Sequence, residues 1–117
     1  SASVVNVPVI KPLDGSTIVQ VATASKAVVS AENHTIVGGL GSAIAEVLAE
    51  AGLGRRLRRV GLRDTFAEGA RDATSLLRKY GLTTQDIVDG AWEALGRSTP
   101  IPLVPVHVAA VGEYSPV

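Results

Sequence analysis

KAVVSAENHTIVGGLGSAIAEVLAE, residues 26–50, decides the fold. Ala27 to Val29 is continuously apolar rather than alternating, as in a strand covered on both faces, so Lys26 to Glu32 reads as a buried strand. Beyond Gly38, Gly39 and Gly41 the period changes. Leu40, Ile44, Val47, Leu48 and Ala51 recur at steps of three and four, which marks one apolar face of a helix that stops near Gly52 and Gly54. Glu46 and Glu50 lie off that face. A strand passing through a glycine-rich turn into a helix is half of a parallel layered unit, and the flanking sequence decides whether the other half exists.

Downstream, Leu57, Val60 and Leu62 punctuate a basic stretch in which Arg58 to Arg63 predicts a second strand. Asp72 caps ATSLLRKY, Gly81 suits the left-handed turn at its end, and Thr83 caps TQDIVDGAWEAL with Ile87, Val88, Ala91, Trp92 and Leu95 on the inner side. Upstream, SVVNVPVI, Ser3 to Ile10, is rich in β-branched residues and predicts a strand, with Pro8 weakening its far end. Asp14 caps a short helix through about Thr23, whose Ile18, Val19 and Ala22 are spaced to face a sheet. Alternation of strands and helices in this order predicts an α/β layer structure with a parallel sheet. The layered domain spans residues 1–98. Residues 99–117 form a Pro-rich tail in which Val104, Val106, Val108 and Ala110 alternate, so Leu103 to Val111 predicts an edge strand or an extended arm.

Composition narrows the function. Eleven Lys plus Arg balance eleven Asp plus Glu, which leaves no general electrostatic attraction to nucleic acid or an anionic membrane. The absence of Cys excludes disulfides, thiolate metal sites and a thiol nucleophile. Aromatic residues make up 3% of the chain, too few for a base-stacking platform. No apolar run reaches the roughly 20 residues of a membrane span, and the start lacks a signal-peptide pattern, so the expectation is a soluble cytoplasmic protein.

The glycines pose the chemical question. A dinucleotide fingerprint needs G-x-G-x-x-G opening the first βα unit, and a phosphate-binding loop needs Gly-Lys-Ser or Gly-Lys-Thr; GGLGSA supplies neither. Close helix–strand packing that only glycine permits is the stronger reading. His34 follows Glu32 at a predicted strand end, where α/β sites gather. A general base, a polar contact with a partner domain and a solvated imidazole all fit that position, but no Ser or second acid completes a catalytic set. Neither His34 nor His107 has the helical spacing of a metal pair, so no metal site is expected. GRRLRR, residues 54–59, reads as a solvated basic rim, and Asp64, Glu68 and Asp72 as turn and cap residues.

VVNVPVIKPLD, then AVVSAENHTIVGGLGSAIAEVLAE, then RRVGLRDTFAEGARDATSLLRKYGLTTQDIV, taken in order, resemble the C-terminal domain of transketolases, particularly a separately encoded C-terminal subunit. They are more distantly similar to 1-deoxyxylulose-5-phosphate synthase and the beta subunits of 2-oxoacid dehydrogenases. The resemblance covers Val4 to Leu95. It implies a three-layer αβα fold with a mostly parallel mixed sheet, here without the first strands and first helix. Because the absent second strand would be central in a five-stranded sheet, the three remaining strands would leave a gap, to be closed by the tail, by another copy of the chain or by a changed strand order.

The implied function is noncatalytic. In such enzymes thiamine diphosphate and magnesium are held by the preceding domains, so this chain is expected to supply no catalytic, cofactor-binding or metal-binding residue. The complete assembly would be a dimeric transferase of the pentose phosphate pathway, moving a ketol unit between sugar phosphates. Glu32, His34, Gly38, Gly39 and Gly41 are the residues expected to face neighbouring domains. The implied partners are the thiamine-binding domains or subunits and a further copy of the chain, with no nucleic acid and no membrane. The alternative is a stand-alone binding or assembly module that presents the Gly-rich turn to a phosphorylated ligand.

Overall fold

The computed structural model describes residues 1–69 and 72–98. Its elements follow in the order α1 (Gly15–Ala24), β1 (Ala27–Thr35), α2 (Leu40–Glu50), β2 (Arg56–Leu62), α3 (Ala73–Lys79) and α4 (Thr84–Ala94). Asp14 starts α1 as expected. Its carboxylate accepts from the Thr17 amide at 3.1 Å and from the Ser16 and Thr17 hydroxyls at 2.6 and 2.7 Å, bonds that hold its pKa down at about 2. At the other end, Arg55 donates from Nη2 to Thr23 O at 3.1 Å and from Nε to Ala22 O at 3.0 Å, the latter beside the Ser25 amide that also donates there.

β1 and β2 pair in parallel, with Val28 opposite Leu57 and Ser30 opposite Arg59. Alternation then sorts the side chains. Val28, Ser30, Leu57 and Arg59 point toward α2, while Val29, Arg58 and Val60 point toward α4. The two helices thus cover opposite faces of one parallel pair, the layering the sequence predicts. On the α2 side Ile18 and Ala22 of α1 close a core with Ile44 and Leu48, joined by Val28, Leu40, Val47 and Leu57. Burying each of the larger side chains contributes about 1.5–3 kcal/mol. On the α4 side the contact is made by small residues, and Gly90 and Ala94 are the buried positions of that helix.

α3 and α4 are capped as predicted. Asp72 accepts from the Thr74 and Ser75 amides at 3.0 and 2.9 Å, and its pKa falls, chiefly through the Ser75 hydroxyl. Gly81 takes φ +68°, the conformation that ends a helix without strain only for glycine. At α4, Thr83 Oγ1 accepts from the Asp86 amide at 3.3 Å and Asp86 Oδ2 accepts from the Thr83 amide at 2.7 Å, a reciprocal box that fixes the start.

Four expectations are corrected. Ser3 to Ile10 is not a strand: it runs without a pairing partner, Val4 is 95% exposed, and only Val7 packs on the core. Its β-branched residues favour extension, but a strand also needs a neighbour to take its N–H and C=O groups. The sheet among the described residues accordingly has two strands, not three. α1 turns Ile18 and Ala22 chiefly onto α2 rather than lying flat on the sheet. Leu95 is 44% exposed instead of facing inward, because it lies at the α4 C-cap beyond the last turn that touches the sheet. The predicted strand from Leu103 to Val111 lies outside the described residues, as does the rest of the tail from residue 99. Among the described residues no helix is long and apolar enough to cross a membrane.

Candidate functional site

The carboxyl end of β1 and the start of α2 build the most structured polar site. β1 continues three residues past its predicted end, to Thr35, by bulging. Ala31 pairs with Val60 but Thr35 with Leu62, so four steps along β1 match two along β2. The bulge curls over Gly61. A Cβ there would stand 2.7 Å from Ile36 Cγ2, 2.9 Å from His34 O and 3.0 Å from Glu32 Cγ, so only glycine lets the chain fold back so closely.

Glu32 then reaches across to α2. The N-cap, Gly39, has no side chain to cap the helix. In its place Glu32 Oε2 accepts from the Leu40 amide at 2.7 Å and Oε1 from the Gly41 amide at 3.0 Å. Two charge-assisted bonds at the positive end of a helix make this a strong clamp between strand and helix. The glycines give the carboxylate its room: a Cβ on Gly39 would lie 2.0 Å from Glu32 Oε2 and 2.5 Å from Thr35 O. On Gly41 it would meet Ser30 Oγ at 2.5 Å and Arg59 Cγ and Cδ at 2.6 Å. Gly38, at φ +73°, turns the chain, and its amide donates to Ser42 Oγ at 3.1 Å. Ser42 Oγ in turn donates to Ile36 O at 2.8 Å, and Arg59 Nη1 reaches the same carbonyl at 2.8 Å and Ser42 Oγ at 3.2 Å.

The five candidate residues therefore divide. Glu32, Gly39 and Gly41 are joined in the clamp, and Gly38 adjoins it as the exposed turn. His34 stands apart: its ring is exposed and its Nδ1 lies 3.1 Å from Thr35 O. No ion pair joins His34 to Glu32 among the described residues, since both Glu32 oxygens serve α2. Beside His34 in the turn, Val37 is 64% exposed.

The basic cluster is a solvated rim only in part: Arg55 and Arg56 are exposed, yet three of its four arginines are engaged. Arg55 caps α1, Arg59 ties the turn, and Arg58 Nε lies 3.0 Å from Glu93 Oε2, an ion pair without hydrogen-bond alignment. Local sequence could not show this because every acceptor is remote in the chain. The acids keep turn and cap roles. Asp64 takes φ +40° in the turn, Glu68 pairs with Lys79 and raises its pKa, and Asp72 caps α3. A polar cleft of about 240 Å³ on the α4 side includes Arg63, Tyr80, Asp86 and Asp89, but Asp86 is engaged with Thr83 and Asp89 with Gln85. Among the described residues no three His, Asp or Glu converge to hold a metal ion. Ser30, Ser42, Arg59 and Gly61 are the site residues that sequence reasoning missed. Gly61 alone carried a signal, as an isolated glycine within a strand pattern.

Set beside known proteins, residues 1–87 match the family model described as transketolase, C-terminal domain. The chain is 46% identical over 97 residues to the 6-deoxy-6-sulfo-D-fructose transketolase subunit of a Clostridium species, covering 82% of this chain and 29% of that protein. It is 40% identical over 87 residues to an apulose-4-phosphate transketolase subunit of Actinobacillus succinogenes, covering 74% and 28%. Against 1-deoxy-D-xylulose-5-phosphate synthase of Caldanaerobacter subterraneus it is 42% identical over 86 residues, covering 74% of this chain and 14% of the synthase. Among solved structures it resembles a split-gene transketolase described as an inactive beta4 tetramer, with a TM-score of 0.67 and 44% identity over 74% of this chain and 27% of that one. The chain thus spans less than a third of the length of these relatives.

Proposed function

The chain belongs to the transketolase C-terminal domain family, and from that premise we propose that it is a noncatalytic scaffold of a thiamine diphosphate-dependent transketolase. Ketol transfer between sugar phosphates is then the work of the full assembly, a cytoplasmic oligomer. Thiamine diphosphate and magnesium belong to the portion this chain docks against. The observation that carries this reading is the Glu32 clamp. The glycine-flanked start of α2 is filled by the chain's own carboxylate, whose charge repels an incoming phosphate. The residues here therefore do not fit a diphosphate. The same geometry weighs against a stand-alone module that binds a phosphorylated ligand at the Gly-rich turn.

Docking falls to the exposed side of the turn, where His34, Val37 and Gly38 stand clear of the clamp. The kinship with subunits of split transketolases, one of which forms a tetramer without activity, supports a partner subunit and self-association. Calorimetric titration of the isolated chain with thiamine diphosphate and with sugar phosphates is expected to be silent. Adding it in trans to a transketolase that keeps its thiamine-binding domains but lacks its C-terminal domain is expected to restore ketol transfer, and Val37→Asp to weaken that association at unchanged thermal stability. Turnover by the isolated chain, or its binding of the cofactor, would overturn the reading.

A further inference from the structure

β1 is paired along one side and bare along the other. Among the described residues only β2 pairs with it, so over residues 27–33 the N–H and C=O groups on its far side make no hydrogen bond. Cover over the pair is uneven as well. Val60 of β2 is 7% exposed, whereas Ala31, opposite it in register, is exposed, and Val28 and Val29 are only half-buried in an apolar stretch that suits a strand with neighbours on both sides. An apolar groove of about 200 Å³ adjoins Ala31, with Val60, Leu77, Leu82 and Ile87 in its walls.

What can cover this edge follows from where the chain leaves α4. A Cβ on Gly90 would meet Val29, Arg58 and Val60, Glu93 pairs with Arg58, and a Cβ on Gly96 would meet Arg56, so α4 runs antiparallel to the strands and ends at their amino end. Gly96 at φ +73° closes the helix, its amide donating to Glu93 O and that of Arg97 to Trp92 O, each at 2.9 Å. The chain therefore enters residues 99–117, which lie outside the described residues, from the side where a parallel strand begins. Handedness then selects the edge. Connections between parallel strands are right-handed in about 98% of cases, so with α2 on one face and α4 on the other the step from β2 reverses the step from β1. It passes back over β1 to the free edge, as in other doubly wound sheets. Distance is no obstacle: two strand spacings are about 10 Å, and residues 97–102 reach about 20 Å when extended.

The tail suits an edge and not an interior place. LVPVHVAAV, residues 103–111, is apolar apart from His107, as befits a parallel strand between helices. Pro105 has no N–H. Successive residues of a strand turn their backbone groups to opposite sides, so Val104, Val106 and Val108 can bond a neighbour while Pro105 faces away from it, which leaves that outer side unpaired.

We propose that Leu103 to Val111 adds to the free edge of β1 as a parallel strand, in the spatial order β2, β1, tail, with Val104, Val106 and Val108 bonded to β1. The strap covers the edge beside Ala31 and denies it to other chains.

The full chain tests this by nuclear magnetic resonance and hydrogen exchange. Cross-strand Overhauser contacts are expected between residues 104–108 and residues 27–31 in parallel register, with slowed exchange at alternate β1 amides. Proline placement reads the register. Val106→Pro removes a bonded N–H and should speed exchange at those β1 amides roughly tenfold, whereas His107→Pro, on the outward side, should change it less than about twofold. Unchanged exchange at the Ile44 and Leu48 amides separates loss of the strap from unfolding. Should Val106→Pro unfold the chain, a Tm well below that of His107→Pro supports the same register, and equal Tm values count against it. Protection that falls on dilution means that a second copy supplies the strand and overturns the assignment to the chain's own tail. Contacts along the outer edge of β2 overturn the strand order, and β1 exchange that ignores both prolines overturns the strand itself.

Discussion

The two faces of the β1–β2 pair are held by different means. On the α2 face the helix start is tied by side chains from both strands, Glu32 to the Leu40 and Gly41 amides and Arg59 to the Ile36 carbonyl, over glycines with no space for a Cβ. On the α4 face the helix caps itself through Thr83 and Asp86, and small residues rest on the side chains of Arg58 and Val60, which have some room to give. The first joint couples elements through specific charge-assisted bonds and fixes their spacing. The second couples them through the contact of small residues and one ion pair, Arg58 with Glu93, that lacks hydrogen-bond alignment. A rigid joint beside an exposed turn suits a surface that must meet a partner at a set angle, because the turn cannot shift without breaking the clamp.

The largest expected effect breaks the first joint. Gly39→Ala places a methyl 2.0 Å from Glu32 Oε2 and 2.5 Å from the Thr35 carbonyl, and the second is backbone that cannot swing aside. The clamp must open or β1 must move, at about 3 kcal/mol or more. Urea unfolding measures this, and a loss under about 1 kcal/mol would mean that the joint is softer than its geometry states.

How much of this was legible in the sequence follows the same division. The helices were, because Asp14, Asp72, Thr83 and Gly81 act on amides and turns within a few residues, and local chemistry is visible locally. The βα unit was legible from its change of period. Glu32 as a cap was not: its acceptor role spans eight and nine residues, and the isolated Gly61 hints at the bulge it passes through without saying which side chain crosses it. Arg55 and Arg59 reach partners 33 and 23 residues away, so half of the charge run that reads as a solvated rim is spent on the chain's own carbonyls. Ser3 to Ile10 fails for the opposite reason. Its propensity is real, but a strand is a property of two segments, and propensity reports on one.

Ser30→Ala sharpens the contrast from the other side. The hydroxyl is buried without a partner on the α2 face, so removing it should stabilise the chain by about 1 kcal/mol, seen as a higher urea midpoint at unchanged slope. Destabilisation instead would show that the hydroxyl finds a partner in the native fold. Gly90→Ala is the smaller counterpart on the α4 face. Its methyl would stand 3.1 Å from Arg58 Cγ and 3.2 Å from Val60 Cγ2, a squeeze that a flexible stem relieves by a few tenths of an ångström. The helix gains about 1 kcal/mol from losing a mid-helix glycine, so the two terms nearly cancel and stability should change by less than about 0.5 kcal/mol. A large loss there would erase the difference between the faces.

The smallest effect lies in acid, where it separates the clamped helix from the helices that rely on local carboxylate caps. Asp14 titrates at about 2 in the fold against an ordinary 3.8, and the Asp72 pKa is lowered as well. A carboxylate whose pKa is depressed by folding adds stability that is fully present above its unfolded value and is lost as pH falls through its folded value. Between roughly pH 4 and pH 2 the starts of α1 and α3 should therefore loosen. Hydrogen exchange at the Thr17 and Ser75 amides should quicken in that window relative to their neighbours. Asp14→Asn keeps a capping acceptor while removing the titration. In that variant the Thr17 amide should lose its acid sensitivity and the Ser75 amide keep it, and loss of both together would mean that acid acts on the whole fold rather than on its caps.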